Sequence, residues 1–171
     1  MDIISHGLWG GIAFGRKNKF RWRLAFLFGI APDLLSFGIF FVERVFTHGF
    51  DFQSGPPDPS TISSYVYQLY NVTHSLVVFT FFFAFFSLFL GRTFWEMAAW
   101  GLHIILDIFT HSNEFFPTPF LWPLSDYKFD GMPWSHPYIF FTNVAALVIL
   151  YLVWWWKKRR KKAGHILIDQ L

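Results

Sequence analysis

Cysteine is absent, so the chain forms no disulfide and offers no thiolate; any metal it holds must sit among histidine nitrogens and carboxylate oxygens. Charge is scarce too, with 15% of the residues charged against 54% hydrophobic, and 25 residues are Phe. A water-soluble chain of 171 residues cannot hide that much apolar surface, which excludes an ordinary soluble globule and points to a membrane protein. There is no internal period of the solenoid kind. No cleavable signal peptide is evident, because Asp2 stands where a positive n-region should be. The length predicts one domain, residues 1–171.

The formal charge of +3 tells less than its placement. Basic residues gather in Arg16–Arg23 and Lys157–Lys162, each flanking an apolar run. The run KKRRKK is read as a stop after a membrane helix, so residues 157–171 are expected to form a basic cytoplasmic tail and nucleic acid is not an expected partner.

Taken in order, residues 2–14 are apolar but cover only about 20 Å as a helix, against a hydrocarbon core of about 30 Å, and are expected to dip in rather than span. Gly7, Gly10 and Gly11 leave room for a close neighbouring helix. After the basic loop 15–23, the run Leu24 to Val42 is long enough to span, with a bend expected at Ala31-Pro32-Asp33. Residues 45–71 read as a polar loop containing the breaker cluster GPPDPS. Thr73 to Leu90 is the most hydrophobic helix and reads as lipid-facing. Arg92 and Glu96 are four apart and are expected to pair at a helix end. Residues 113–136 form a second loop, rich in Pro and aromatics, and Tyr138 to Trp156 spans again. The fold class predicted is all-α, a membrane bundle of about five helices, four spanning and one short at the N-terminus. Lys/Arg bias places both long loops outside and the basic clusters in the cytoplasm.

The most informative stretch is Leu102 to Ser112, LHIILDIFTHS. His103, Asp107 and His111 are spaced four and four, which stacks two imidazoles and a carboxylate on one face of a helix. Leaving them unpartnered in hydrocarbon would cost several kcal/mol. On the predicted layout His6, Asp33 and His74 lie in the same outer half of the bundle. Taken singly, Asp33 and His74 also read as helix caps and His6 as an incidental residue near a terminus. His136 reads as interfacial, and His48 and His165 as loop and tail. Together the six offer enough nitrogen and oxygen donors for two divalent ions, Zn²⁺ foremost, with Mn²⁺ or Fe²⁺ possible.

His6, Pro32-Asp33, Thr73-His74-Ser75 and His103-Ile-Ile-Leu-Asp107 followed by Thr110-His111 resemble the membrane-bound metal-dependent hydrolase family. That family is itself similar to the zinc-dependent phospholipase C and single-strand nuclease superfamily. The resemblance covers roughly residues 3–125. It implies a helical site in which His6, Asp33, His74, His103, Asp107 and His111 correspond to the shared ligands, and it implies hydrolysis of a phosphoester. Two departures stand out. No His-x3-acid pair follows His111 and no cleavage exposes an N-terminal amine, so two metals are expected rather than three. Where the family has His-Arg-Gly before Thr-His-Ser, this chain has Leu69-Tyr70-Asn71.

The expected mechanism is metal-assisted hydrolysis with Asp33 and Asp107 as the catalytic carboxylates. Asp33 or Asp107 bridges the ions, and Asp33 accepts the proton. Trp122, Asp126, Tyr127 and Trp134 are expected to lie over the site, where they would grip a lipid or lipid-linked phosphate at a prokaryotic inner membrane. Two other readings stay open, a proton or divalent-ion path and a b-type haem protein, with a plain scaffold as the third.

Overall fold

Asp2 and Asn18 begin the first two helices by the same device: each side chain accepts a backbone N–H three residues on, from Ser5 and Arg21, at 2.9 Å. The computed structural model describes residues 1–48, 62–114 and 116–168 (for residue 48 and residues 161–168, the backbone alone). Helix α1 runs Ile3–Phe14 and α2 runs Lys19–Asp33. Helix α2 passes through a π turn at Leu34–Gly38 into α3, Ile39–His48. Then follow α4 (Ser64–Thr73), α5 (Leu76–Phe89), a 3-10 turn at Trp95–Met97, α6 (Ala98–Thr110) and α7 (Pro137–Ile168). The described residues contain no strand, in keeping with the all-α expectation.

Pro32 removes one N–H from the α2 ladder, and the helix answers by widening into the π turn rather than breaking. Ser36 Oγ donates to the Pro32 carbonyl at 2.8 Å. Lys19–Thr47 is therefore one helical stretch of 29 residues, longer than the apolar run and starting inside the segment expected as a basic loop. A second stretch, Pro137–Arg160, is also long and apolar enough to cross a membrane. A third is added only if α4 and α5, bent by 55° at their junction, count as one span. The expected number of four is not confirmed, because α6 has 13 residues and covers only about 20 Å.

Three further expectations change. The loop placed at 45–71 is narrower: α3 reaches His48 and α4 starts at Ser64, while GPPDPS lies outside the described residues. Arg92 does not pair with Glu96. It precedes the turn that opens α6 and rests over the Phe94 ring, while the buried Glu96 takes Arg21 Nε at 3.3 Å. The basic stretch from 157, expected as a tail, continues α7 as helix.

Helices α1 and α2 form a close hairpin, as the glycines near the N-terminus predict. A Cβ on Gly10 would stand 2.6 Å from the Ala25 carbonyl oxygen, and one on Gly29 would stand 2.5 Å from that of His6. Gly29→Ala is expected to lower stability by about 1–3 kcal/mol, since backbone rather than a movable side chain must give way. Thermal unfolding in detergent checks this. Helix α7 is tied to α1 by polar groups: Asn143 Nδ2 donates to Ser5 Oγ and Trp9 Nε1 to Asn143 Oδ1, both at 2.8 Å. Helix α5 buries no residue at all, and its Phe81, Phe85 and Phe89 rings form an exposed ladder. An apolar helix left so bare fits a lipid-facing position. The interior runs the other way, for His6, His74, Ser75, His103, Asp107 and Thr118 are each at most 1% exposed.

Candidate metal centre

The triplet Thr-His-Ser occurs twice in the sequence, and each copy ends a helix. Thr73 and Thr110 are the last residues of α4 and α6, and each hydroxyl donates to the carbonyl four residues back, at 2.8 and 3.0 Å. His74 and His111 then step off the helix with their rings turned inward. His111 is therefore not the third rung of a helical ladder. It is the C-cap of α6 in extended backbone, φ −117°, ψ 142°. His74 does not cap the following helix either. Ser75 does that, accepting from Val77 and Val78 N–H, and its own hydroxyl donates to the Trp122 carbonyl.

Asp107, fully buried on α6, is the centre of the cluster. Its Oδ2 has no hydrogen-bond partner and lies 3.1 Å from His103 Nε2 and 3.6 Å from His74 Nε2. Asp33 Oδ1, from the last residue of α2, is 3.4 Å from His74 Nε2 and 3.8 Å from His103 Nε2. The two Nε2 atoms are 3.1 Å apart. All four donors lie within 4.8 Å of one another. Four donors set tetrahedrally about 2.0–2.1 Å from one ion would be spaced by about 3.3 Å. The donor set thus has the dimensions of a metal shell.

The outer nitrogens decide which atom faces inward. His103 Nδ1 lies 2.7 Å from the Gly29 carbonyl, which can only accept, so Nδ1 carries a proton and, in the neutral imidazole, Nε2 keeps a lone pair. His74 Nδ1 lies 3.0 Å from Thr73 Oγ1, whose own proton goes to the Leu69 carbonyl, so the same tautomer follows. Two lone pairs facing each other between two carboxylate oxygens repel unless a cation lies among them. The donors present therefore fit a divalent ion.

A second group gathers on the other oxygen. Asp107 Oδ1 is 2.9 Å from His6 Nε2 and 3.6 Å from His111 Nε2. The Met1 α-amino group donates to this same oxygen and lies 3.2 Å from His111 Nε2. The six sequence-derived residues thus meet at one place, two sets sharing Asp107. Asp33 and His111 have side chains 13% and 12% exposed, whereas those of His6, His74, His103 and Asp107 are sealed, so the approach lies between Asp33 and His111.

Several supporting groups escape the motif reading. Tyr70 stands where the resembled family has its charged residue. It is buried, stacks on His74 at 3.9 Å between centroids, and donates to the Phe116 carbonyl at 2.9 Å. That carbonyl and the Tyr70 oxygen are both 3.0 Å from His111 Nδ1, which orients the imidazole with Nε2 toward Asp107. Phe116 reaches this position at φ +49°, the left-handed region uncommon for a residue with a side chain. Phe116 and Thr118 are the parts of the 113–136 loop buried against Tyr70, whereas Asp126, Tyr127 and Trp134 face outward. His136 is exposed and its Nδ1 accepts from Tyr138 N–H at 3.3 Å, capping α7. The side chains of His48 and His165 lie outside the described residues.

Tyr70→Phe is expected to weaken metal binding by about 10–100-fold, the usual cost of losing a group that orients a ligand. A competitive zinc titration of the purified protein measures it. Unchanged affinity would show that Phe116 alone orients His111. Compared with protein-family models, curated proteins and solved structures, the chain matches none, and the centre is read from its own geometry.

Proposed function

We propose that the chain is a membrane-bound metal-dependent hydrolase, of the family its motifs resemble, acting on a phosphoester carried by a lipid or lipid-linked phosphate. The observation that carries this reading is the division of donors around Asp107, with His74 and His103, and Asp33 beside them, facing its Oδ2, and His6, His111 and the Met1 α-amino group facing its Oδ1. A carboxylate reached from both sides suits a pair of divalent ions, zinc by its nitrogen-rich shell. Such a pair, when bound, lowers the pKa of a shared water and offsets charge on phosphoryl oxygens.

The rest of the chemistry belongs to the chain. Asp107 would serve both groups of donors, one from each oxygen, and is held rigid by burial. Asp33 offers Oδ1 to the histidines, and as the partly exposed carboxylate of the centre it accepts the proton of the attacking water. The Gly29, Phe116 and Thr73 oxygens hold the histidine tautomers and so prevent the ligands from turning away. The substrate class rests on position: a centre sealed on most sides inside an apolar bundle favours an amphiphile over a soluble ester. The proposal extends to a prokaryotic inner membrane with the basic end of α7 in the cytoplasm.

A haem reading meets a geometric objection, because the Nε2 atoms of His74 and His103 are 3.1 Å apart with carboxylates crowding both. A macrocycle has no slot there. The deciding experiment is elemental analysis of the detergent-purified protein, then turnover of phosphodiester and lipid-phosphate substrates at saturating zinc. Two ions per chain with turnover are expected. Two ions without turnover, together with metal flux in proteoliposomes, would make the centre an ion path instead.

A further inference from the structure

At the far end of α1 from His6, a cleft of about 720 Å³ opens between the start of α2 and the end of the apolar part of α7. Its walls carry six basic side chains from two distant segments: Arg16, Lys17, Lys19 and Arg23 from one, Lys157 and Lys158 from the other. No acidic residue lines it, and among the described residues none of the six forms an ion pair. Within the cleft Lys158 Nζ stands over the Trp154 ring at 5.7 Å. The neighbouring cations lie outside it: Arg21 turns to Glu96, while Arg159 and Arg160 lie over the Trp155 and Trp156 rings at 4.0 and 3.9 Å.

We infer that this cleft binds the phosphate headgroup of an acidic membrane phospholipid. Like charges brought together from separate segments repel, and an anion among them relieves that repulsion. Trp22 and Trp154, which also line the cleft, are residues of the membrane–water boundary. Trp22 Nε1 donates to Tyr151 Oη at 3.1 Å, and Tyr151 donates to the Leu8 carbonyl at 2.9 Å, so the wall is braced against α1 and α2. Within two turns of the cleft, α7 exposes Ile149, Leu152 and Val153, an apolar track on which acyl chains can lie. The common tendency of basic residues to flank membrane helices explains their number. It does not explain their convergence on one cleft without an acid. A headgroup of −1 or more held between basic helix ends is a recurrent lipid site.

The test uses the full chain in detergent and native mass spectrometry, with phosphatidylglycerol, phosphatidylcholine and inorganic phosphate as probes. One phosphatidylglycerol is expected to bind saturably and phosphatidylcholine much more weakly. Arg23→Gln with Lys157→Gln, one cation from each wall, is expected to weaken retention by about thirtyfold. Arg16→Gln with Lys158→Gln, also exposed, repeats the comparison should the first pair lower the yield of folded protein. Arg159→Gln with Arg160→Gln removes the same charge outside the cleft and is expected to change retention by less than about threefold. Equal losses in the cleft and control variants would reduce the effect to diffuse surface charge and overturn the site. Equal retention of phosphatidylcholine, or full displacement of the lipid by millimolar phosphate, would overturn it as well.

Discussion

Replacing Asp107 by Asn is expected to empty both donor sets at once, taking the metal content from two ions per chain toward none at micromolar zinc. The reason is geometric: one carboxylate faces His74 and His103 with Oδ2 and His6 and His111 with Oδ1. An amide keeps the shape and loses the charge, and its nitrogen cannot act as an acceptor. Turnover should fall by at least about 10³, because the groups that would offset charge on the phosphoryl oxygens go together. His6→Ala serves as the counterpart. His6 Nε2 faces Asp107 Oδ1 while its ring stacks on His103 at 3.6 Å, so its loss should leave one ion, bound more weakly, on Asp33, His74, His103 and Asp107. The metal-free fold of Asp107→Asn is expected to lose some stability, since the substitution neutralises the carboxylate that pairs with the buried Met1 ammonium, although Oδ2 has no hydrogen-bond partner to lose. Elemental analysis beside thermal unfolding therefore separates loss of metal from loss of fold. Two ions retained in the Asn variant would mean that the two sets do not depend on Asp107.

What the sequence disclosed of this centre depended on how each residue is delivered. His103 and Asp107 were legible because both lie on α6, where a spacing of four puts side chains on one face. His111 was legible for a partly mistaken reason: the same spacing suggested a third rung, but the helix ends at Thr110 and a C-cap carries the ring instead. Pro32 marked the special backbone before Asp33, although it produced a π turn where a kink was expected. Hydropathy failed to separate α6 from a membrane span, because a helix packed inside a bundle is as apolar as one in lipid. The loop read at 45–71 hid α4, because GPPDPS dominated the segment. Ile62, Val66 and Tyr70 nevertheless stand four apart and pack together in the core with Phe116. Arg92 and Glu96 were paired by a helical spacing rule that cannot apply, because α6 begins only after the 3-10 turn that contains Glu96. Long-range partners such as Arg21 for Glu96 and the Gly29 carbonyl for His103 depend on the tertiary fold, and no local pattern encodes them.

Asp33→Asn is expected to lower turnover by about 10³ while the chain still binds two ions at saturating zinc. Asp33 is the most exposed carboxylate of the centre, at 13% against 0% for Asp107, so it is the one an incoming water can reach. It also sits at the seam between α2 and the π turn, where a small change in backbone can move it without disturbing α6. An asparagine still presents a carbonyl oxygen to His74 and His103, so the ion on that side should bind more weakly but should not be lost. What an amide cannot do is take up a proton. The two roles part in the kinetics: if Asp33 only ligates, excess zinc restores kcat, and if it accepts the proton, kcat stays low at every zinc concentration. Recovery to within about threefold of the parent under saturating metal would remove Asp33 from the proton-transfer step. The proton would then have to leave by way of His111, the other partly exposed member of the cluster.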